Sequence, residues 1–356
     1  MLKKKFLPLL SLLLFVFFMV GCAQKTGQPT TTKAQVAPRN ITDMAGKKIV
    51  IPNKINRIGD AWPAHNEVLD MLGQGNKIVS TILTAKGRPW LYKINPQMNN
   101  AVTAFTKNDV NIEELLKTKP DIIFLPTGTK YADKVTSVGI PAVQLTFKNF
   151  TELKKCFQVT GNILGPDATK MADAFNSYLD SKLKMITDIT STIPTNKKPK
   201  VMHVNTLSPL TIDGGSTIID SWIKVAGGIN VSSGVTGNAK EVSMEQIMKW
   251  NPDIIIFGPD AKEYKTVINT DAWKKVAAVK NNKVVQNPDG GYMWDRYSAE
   301  EALQIQWAAK LITPDKFQKL DIVSETRSFY KTFLNYDLSK AEAKLIISGK
   351  PPVKVQ

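Results

Sequence analysis

Histidine and cysteine are nearly missing from this chain, whose 356 residues contain two of each. His65 and His203 are too few for a histidine-rich zinc or manganese centre, which leaves open only a site of one histidine with carboxylates. Cys22 and Cys156 make no disulfide framework. The motifs of hydrolytic and redox catalysis are absent too: there is no Gly-x-Ser-x-Gly, no Cys-x-x-Cys and no His-Glu-x-x-His. Asp213-Gly214-Gly215-Ser216 lacks the Gly-Lys-Ser/Thr ending of a phosphate loop. No basic run is interleaved with aromatic residues, so the net charge of +16 does not describe a nucleic-acid surface. No catalytic constellation can be read from the spacing of these residues, and the chain is not expected to be an enzyme.

The apolar run Phe6 to Val20 follows Lys3, Lys4 and Lys5 and is broken by Pro8 and Ser11. It is shorter than the roughly 20 apolar residues a spanning helix needs. With Gly21 and Cys22 behind it, residues 1–21 read as a lipoprotein signal peptide, with Met19 standing where leucine is usual. Cys22 then carries the lipid, residues 22–38 form a polar tether, and the protein is extracytoplasmic and anchored to the cell membrane. Without the three leader lysines the charge is still +13, which suits a surface near anionic lipid or wall polymer. Cys156 is left as a small buried apolar residue.

Asn111 to Pro126, NIEELLKTKPDIIFLP, recurs at an offset of 132 residues as SMEQIMKWNPDIIIFGP, Ser243 to Pro259. Glu113 falls on Glu245, Pro120 on Pro252 and Asp121 on Asp253. In each copy a helical apolar pattern ends at Pro-Asp and turns into a continuously apolar strand, the pattern of a strand covered on both faces. The chain therefore holds a duplicated α/β lobe. Between the copies, Gly165-Pro166 opens a helical stripe that runs to Pro194. About 28 residues give roughly 42 Å, enough to join two lobes. The expected division is an N-terminal lobe over 39–165, a connecting helix over 166–193 and a C-terminal lobe over 194–356.

The repeated glutamate ahead of a "KPD" or "NPD" strand, with the long linker helix, resembles the cobalamin and ferric-siderophore binding proteins of ABC importers. The resemblance implies two Rossmann-like lobes with central parallel sheets joined by one long α-helix, the class III periplasmic binding protein architecture. It implies that Glu113 and Glu245 dock on the two halves of a permease dimer driven by an ATPase, that lobe closure is small, and that the receptor acts as a monomer.

Candidate ligand contacts come from loops beyond strand ends, where open α/β sheets bind ligands. Trp62 lies just past the first buried strand, Ile55 to Gly59, placed either to stack on a ligand or to plug the lobe. Arg88, Trp90 and Tyr92 fall in a loop over residues 87–98, where the cation and rings suit an anionic, partly apolar ligand. The alternative is that Trp90 and Tyr92 cap the lobe core while Arg88 is solvated. Tyr131 follows the first repeat. The densest signal is Gly290-Gly291 followed by Tyr292, Trp294, Arg296 and Tyr297, with Ser298 and Glu301 forming a capping box for the next helix. Asp295 is a competing partner for Arg296. These residues point to a metal chelate in the interlobe cleft, a ferric siderophore first, or haem or cobalamin, with no intrinsic cofactor and no protein-ligated metal. A molybdate or tungstate receptor of the same fold, or an exported lipoprotein sensor or enzyme, is the alternative.

Overall fold

The computed structural model describes residues 38–353, so the leader, Cys22 and the tether up to residue 37 lie outside the described residues. A hairpin of β1 (Arg39–Thr42) and β2 (Lys48–Ile51) precedes the first lobe. That lobe contains β3 (Ile58–Asp60), α1 (Pro63–Met71), β4 (Ile78–Thr81), α2 (Pro89–Ile94), β5 (Val102–Thr103), α3 (Ile112–Lys117), β6 (Ile122–Pro126), α4 (Ala132–Thr136), β7 (Ala142–Leu145) and α5 (Phe150–Leu164). Its sheet has the order β5-β4-β3-β6-β7 and is parallel throughout.

The helix α6 (Pro166–Thr190) then leads to β8 (Lys200–Leu207), β9 (Leu210–Ile212), α7 (Ile218–Val225), β10 (Ile229–Asn230), β11 (Lys240–Glu241), α8 (Met244–Trp250), β12 (Ile254–Phe257), α9 (Tyr264–Val267), α10 (Ala277–Lys280) and β13 (Val284–Gln286). This second sheet has the order β11-β9-β8-β12-β13, with β10 also pairing β8. It is mixed, since β9 runs antiparallel to both β8 and β11. The chain ends in α11 (Glu301–Ile312), α12 (Ile322–Phe333) and α13 (Lys340–Ile347).

The two repeats fold alike for a local reason. Asn111 and Ser243 cap α3 and α8 by accepting from the N–H groups of Glu114 and Gln246. Lys119 and Asn251, again 132 residues apart, each take a left-handed φ of 44° before the proline that ends the helix. The aspartate that follows ties the new strand to its neighbour. Asp121 accepts from Asn56 N and Arg57 N, while Asp253 accepts from Lys200 N.

The continuously apolar strands are covered on both faces. Ile122 and Phe124, like Ile254 and Ile256, face a cluster that runs through both lobes and α6. Ile123 and Leu125 face a second cluster in the first lobe, and Ile255 and Phe257 a third in the second lobe. The connecting helix has 25 residues, about 37 Å long, and ends at Thr190, short of Pro194. Its Phe175 stacks on Phe157 of α5 at 3.8 Å and meets Phe333 of α12 edge-on at 5.9 Å, so it is packed along its length and not a bare spacer. The C-terminal segment crosses back to the first lobe: Lys93 pairs with Glu342 at 2.6 Å, and the Trp90 indole donates to Lys350 O. No helix among the described residues is long and apolar enough to cross a membrane. Cys156 is buried and has no disulfide partner among the described residues, and burial pushes its thiol upward.

Candidate functional site

The carboxyl ends of the parallel strands from both lobes meet at a cleft. On the first lobe Asp60 ends β3 and organises the loop behind it. Its carboxylate accepts from Trp62 N at 3.0 Å and from His65 Nδ1 at 2.9 Å, while His65 Nε2 meets Thr160 Oγ1 at 3.0 Å. Burial raises the Asp60 carboxyl against the pull of His65. Trp62 is thereby held in stacked array with His65 and 5.2 Å from Phe147, which in turn lies 6.0 Å from Tyr297 of the other lobe. An aromatic chain thus crosses the cleft. Tyr297 sits at a φ of 52°, a conformation that costs a non-glycine residue energy, and its hydroxyl accepts from the Asn238 amide.

Arg88 makes the second crossing. Its guanidinium lies 4.5 Å over the Tyr292 ring and pairs with Asp289 at 3.0 Å. Beside it a cavity of about 540 Å³ is lined by Lys86, Arg88, Lys262, Lys265 and Lys350, with Asp289 as its carboxylate and Trp90 and Tyr264 as its rings. That balance of five cations to one carboxylate suits an anion.

Several candidate contacts lie elsewhere. Residues 89–94 form the helix α2 instead of a loop, because Pro89 is preset for the first helical position and the turn buries Trp90 and Leu91. Trp90 is only 2% exposed, although it is among the residues that line the cavity. Tyr92 points into its lobe and donates to Leu83 O. Tyr131 stacks on Phe105 within the lobe and donates to Thr106 O. Trp294 is completely buried in the core. The capping box at Ser298 is not formed: α11 begins at Glu301, and the Ser298 hydroxyl accepts from Glu300 N and donates to Glu67 of the other lobe.

Arg296 is engaged rather than free. It donates to Asp295 through Nε at 3.1 Å and Nη2 at 2.9 Å, and to Asn205 through Nη1 at 2.7 Å. Beneath it His203 is held between Asp213 at 2.8 Å and Asp295 at 2.9 Å, with all three side chains buried. Burial would lower the His203 imidazole, yet the two carboxylates outweigh it and raise it. Burial would likewise raise Asp295, but Arg296 and His203 hold that carboxyl well below its ordinary range. Of this network only the pairing of the adjacent Asp295 and Arg296 was legible in the sequence, because the other members come from β8 and the turn after β9.

Two α/β lobes braced by a single helix, with a basic cleft where their strands end, define a solute receptor of the class III binding-protein fold. Residues 63–289 match the model of a family described as periplasmic binding protein. The chain belongs to that family, in its cobalamin and ferric-siderophore type. It is 25% identical over 340 residues to the molybdate-binding protein MolA of Haemophilus influenzae, covering 84% of this chain and 91% of MolA. A periplasmic solute binding protein from Veillonella parvula superposes with a TM-score of 0.76 at 30% identity, over 87% of this chain and 97% of that one. The structure of MolA bound to molybdate gives the same TM-score, 0.76, at 22% identity over 85% of this chain and 99% of that one, a likeness of fold. Binding proteins of this type work with an ABC permease and its ATPase, and the family implies an extracytoplasmic location.

Proposed function

We propose that this protein is a lipid-anchored receptor that captures an anionic metal chelate in the interlobe cleft and hands it to an ABC permease, without catalysing a reaction. The observation that carries this reading is the cavity of about 540 Å³ beside Arg88 and Asp289, with its excess of lysines and its aromatic lining. Pockets that bury ligands of chelate or drug size fall in this range of volume. Ferric siderophores need cations for their charge and flat rings for their apolar edges, and Arg88 over Tyr292 offers both. Trp62, Phe147 and Tyr297 pack on one another across the lobes beside this cavity without lining it, while Arg296 holds the shape of the Tyr292–Tyr297 loop from behind.

The likeness to MolA favours a second reading, an oxyanion receptor, for which the same arginine and lysines serve. Titration of the purified protein with ferric siderophores, haem, cobalamin and molybdate, followed by tryptophan fluorescence, separates the two. Saturable quenching by a ferric chelate is expected, and Arg88→Ala should weaken it at least about tenfold, because a desolvated arginine–anion pair is lost. Saturation by molybdate alone would replace the chelate with the oxyanion.

The lipid anchor rests on the Gly21-Cys22 sequence behind its apolar run. Cys22→Ser should release the protein from the membrane fraction into the medium; retention in the membrane would mean that another anchor exists.

A further inference from the structure

Glu67 and Glu300 are fully buried carboxyl groups on opposite lobes, and the binding site uses neither. Glu67, on α1, accepts through Oε2 from Ser298 Oγ at 3.0 Å and from Ala299 N at 3.1 Å, both in the loop of the second lobe. Its Oε1 is buried and has no hydrogen-bond partner among the described residues. Glu300 accepts through Oε2 from Tyr292 N at 3.0 Å and through Oε1 from the Tyr330 hydroxyl, which itself accepts from Gly291 N.

Gly291 brings the two carboxyls together. A Cβ there would stand 3.0 Å from Glu67 Oε1 and 3.8 Å from Glu300 Oε2. At Gly290 a Cβ would collide with Tyr330 and Glu300. The two glycines therefore serve close approach rather than flexibility.

We propose that Glu67 and Glu300 form a proton-dependent latch between the lobes, in which a proton on Glu67 Oε1 is donated to the Glu300 carboxylate and its loss loosens the cleft. The donors decide where the proton sits. Glu300 already receives two donors and is the acceptor, whereas Glu67 Oε1 faces it with none, so the proton on that atom completes the network. No cation relieves the pair: among the described residues neither carboxyl is in an ion pair with Lys, Arg or His. The remaining groups that face it are the Tyr330 hydroxyl on α12 and the Trp294 indole in the loop. Of the nearby titratable groups, His65 is engaged by Asp60 and Thr160, Asp70 by Asn95, and Glu301 feels chiefly burial and Asp295. The latch holds whatever ligand the cleft takes, so it is independent of the chelate reading.

Burial, with the neighbouring carboxyl, raises Glu67 far above its ordinary value, and burial pushes Glu300 up to about 7. Groups raised on folding contribute stability that is complete below their unfolded values and is lost as pH rises through the folded ones. The pair titrates as a unit, and the latch is closed at neutral pH and opens under alkaline conditions. While the closed pair still holds a proton that the open cleft would release, each pH unit raises the opening equilibrium about tenfold, and once that proton is lost the dependence levels off.

Infrared spectroscopy and amide hydrogen exchange on the purified protein between pH 6 and pH 10 test this. A protonated-carboxyl band should be present at neutral pH and bleach as pH rises. In step with it, protection of the Ala299 amide, corrected for the intrinsic pH dependence of exchange, should fall. Glu67→Gln, whose amide oxygen accepts from Ser298 and Ala299 and whose NH₂ donates to Glu300, should lose the Glu67 share of the band, leaving what the buried Glu301 and Asp70 contribute, and keep Ala299 protected throughout. Should that variant fail to fold, the titration of the unaltered protein decides alone. Absence of the band at neutral pH, or bleaching without a change at Ala299, would overturn the latch.

Discussion

Cells carrying the Glu113→Ala, Glu245→Ala double variant should take up no ligand, while the purified variant binds its ligand with unchanged affinity. Both side chains are exposed, and that of Glu113 is 81% exposed and tied, among the described residues, only to Lys117, one turn on. Surface replacements of this kind change stability within about 0.5 kcal/mol, so the loss would not come from unfolding. Their placement supports a docking role. Asn111 N–H, at the head of α3, donates to Ala104 O just beyond the end of β5. Val242 N–H, ahead of α8, donates to Leu210 O, and Leu210 pairs with Leu207 at the end of β8. Each glutamate thus stands on the rim of its own lobe, on the side where the cleft opens. Truncating one side of a desolvated charged contact costs about 2–5 kcal/mol, so losing two weakens permease binding by about a thousandfold or more. Uptake of a labelled ferric siderophore, measured beside ligand titration, is the check. Normal uptake by the double variant would remove the docking role.

Arg296→Ala should lower the stability of the protein by about 3–5 kcal/mol, the usual cost of removing one member of a buried ion pair. The arginine side chain is 12% exposed and that of Asp295 is fully buried, so the change leaves a carboxylate without its bidentate partner. His203 then remains as the one side chain hydrogen-bonded to the Asp295 carboxyl among the described residues, and the loop from Tyr292 to Tyr297 loses its anchor to Asn205. The pH dependence carries the sign of the mechanism. A carboxyl held low on folding contributes stability that is present above its unfolded value, near 3.8, and lost as pH falls through the folded one. With the arginine gone, Asp295 titrates higher, and acid unfolding should begin at a higher pH than in the unaltered protein. Urea unfolding at neutral and acid pH measures both effects. A variant as stable as the parent, with an unshifted acid limb, would show that Arg296 is free to serve the ligand.

The loop after β13 shows where sequence reading reached and where it stopped. Its crowding of rings and glycines identified it as special, and Arg88 and Tyr292 do meet across the cleft. Trp294, counted among the ligand contacts, turns inward instead, because successive side chains in an irregular loop have no fixed period to say which faces outward. The segment after β4 failed for a different reason. Spacing along the chain places Pro89 in a loop, whereas the burial offered to Trp90 and Leu91 makes a helical turn of residues 89–94.

Local spacing was enough to establish the duplicated lobe, the strands at 122–126 and 254–257, the connecting helix after Gly165-Pro166 and the exposed position of Glu113 and Glu245. Caps, prolines and apolar periods act over a few residues and leave their mark in the order of the chain. The partners of the buried charges were decided only by the tertiary structure. Arg88 finds Asp289 across 201 positions, Glu67 finds Ser298 across 231, and His203 finds Asp295 across 92. Desolvation makes these pairings strong, and desolvation is a property of what surrounds a group in space, which no spacing along the chain records.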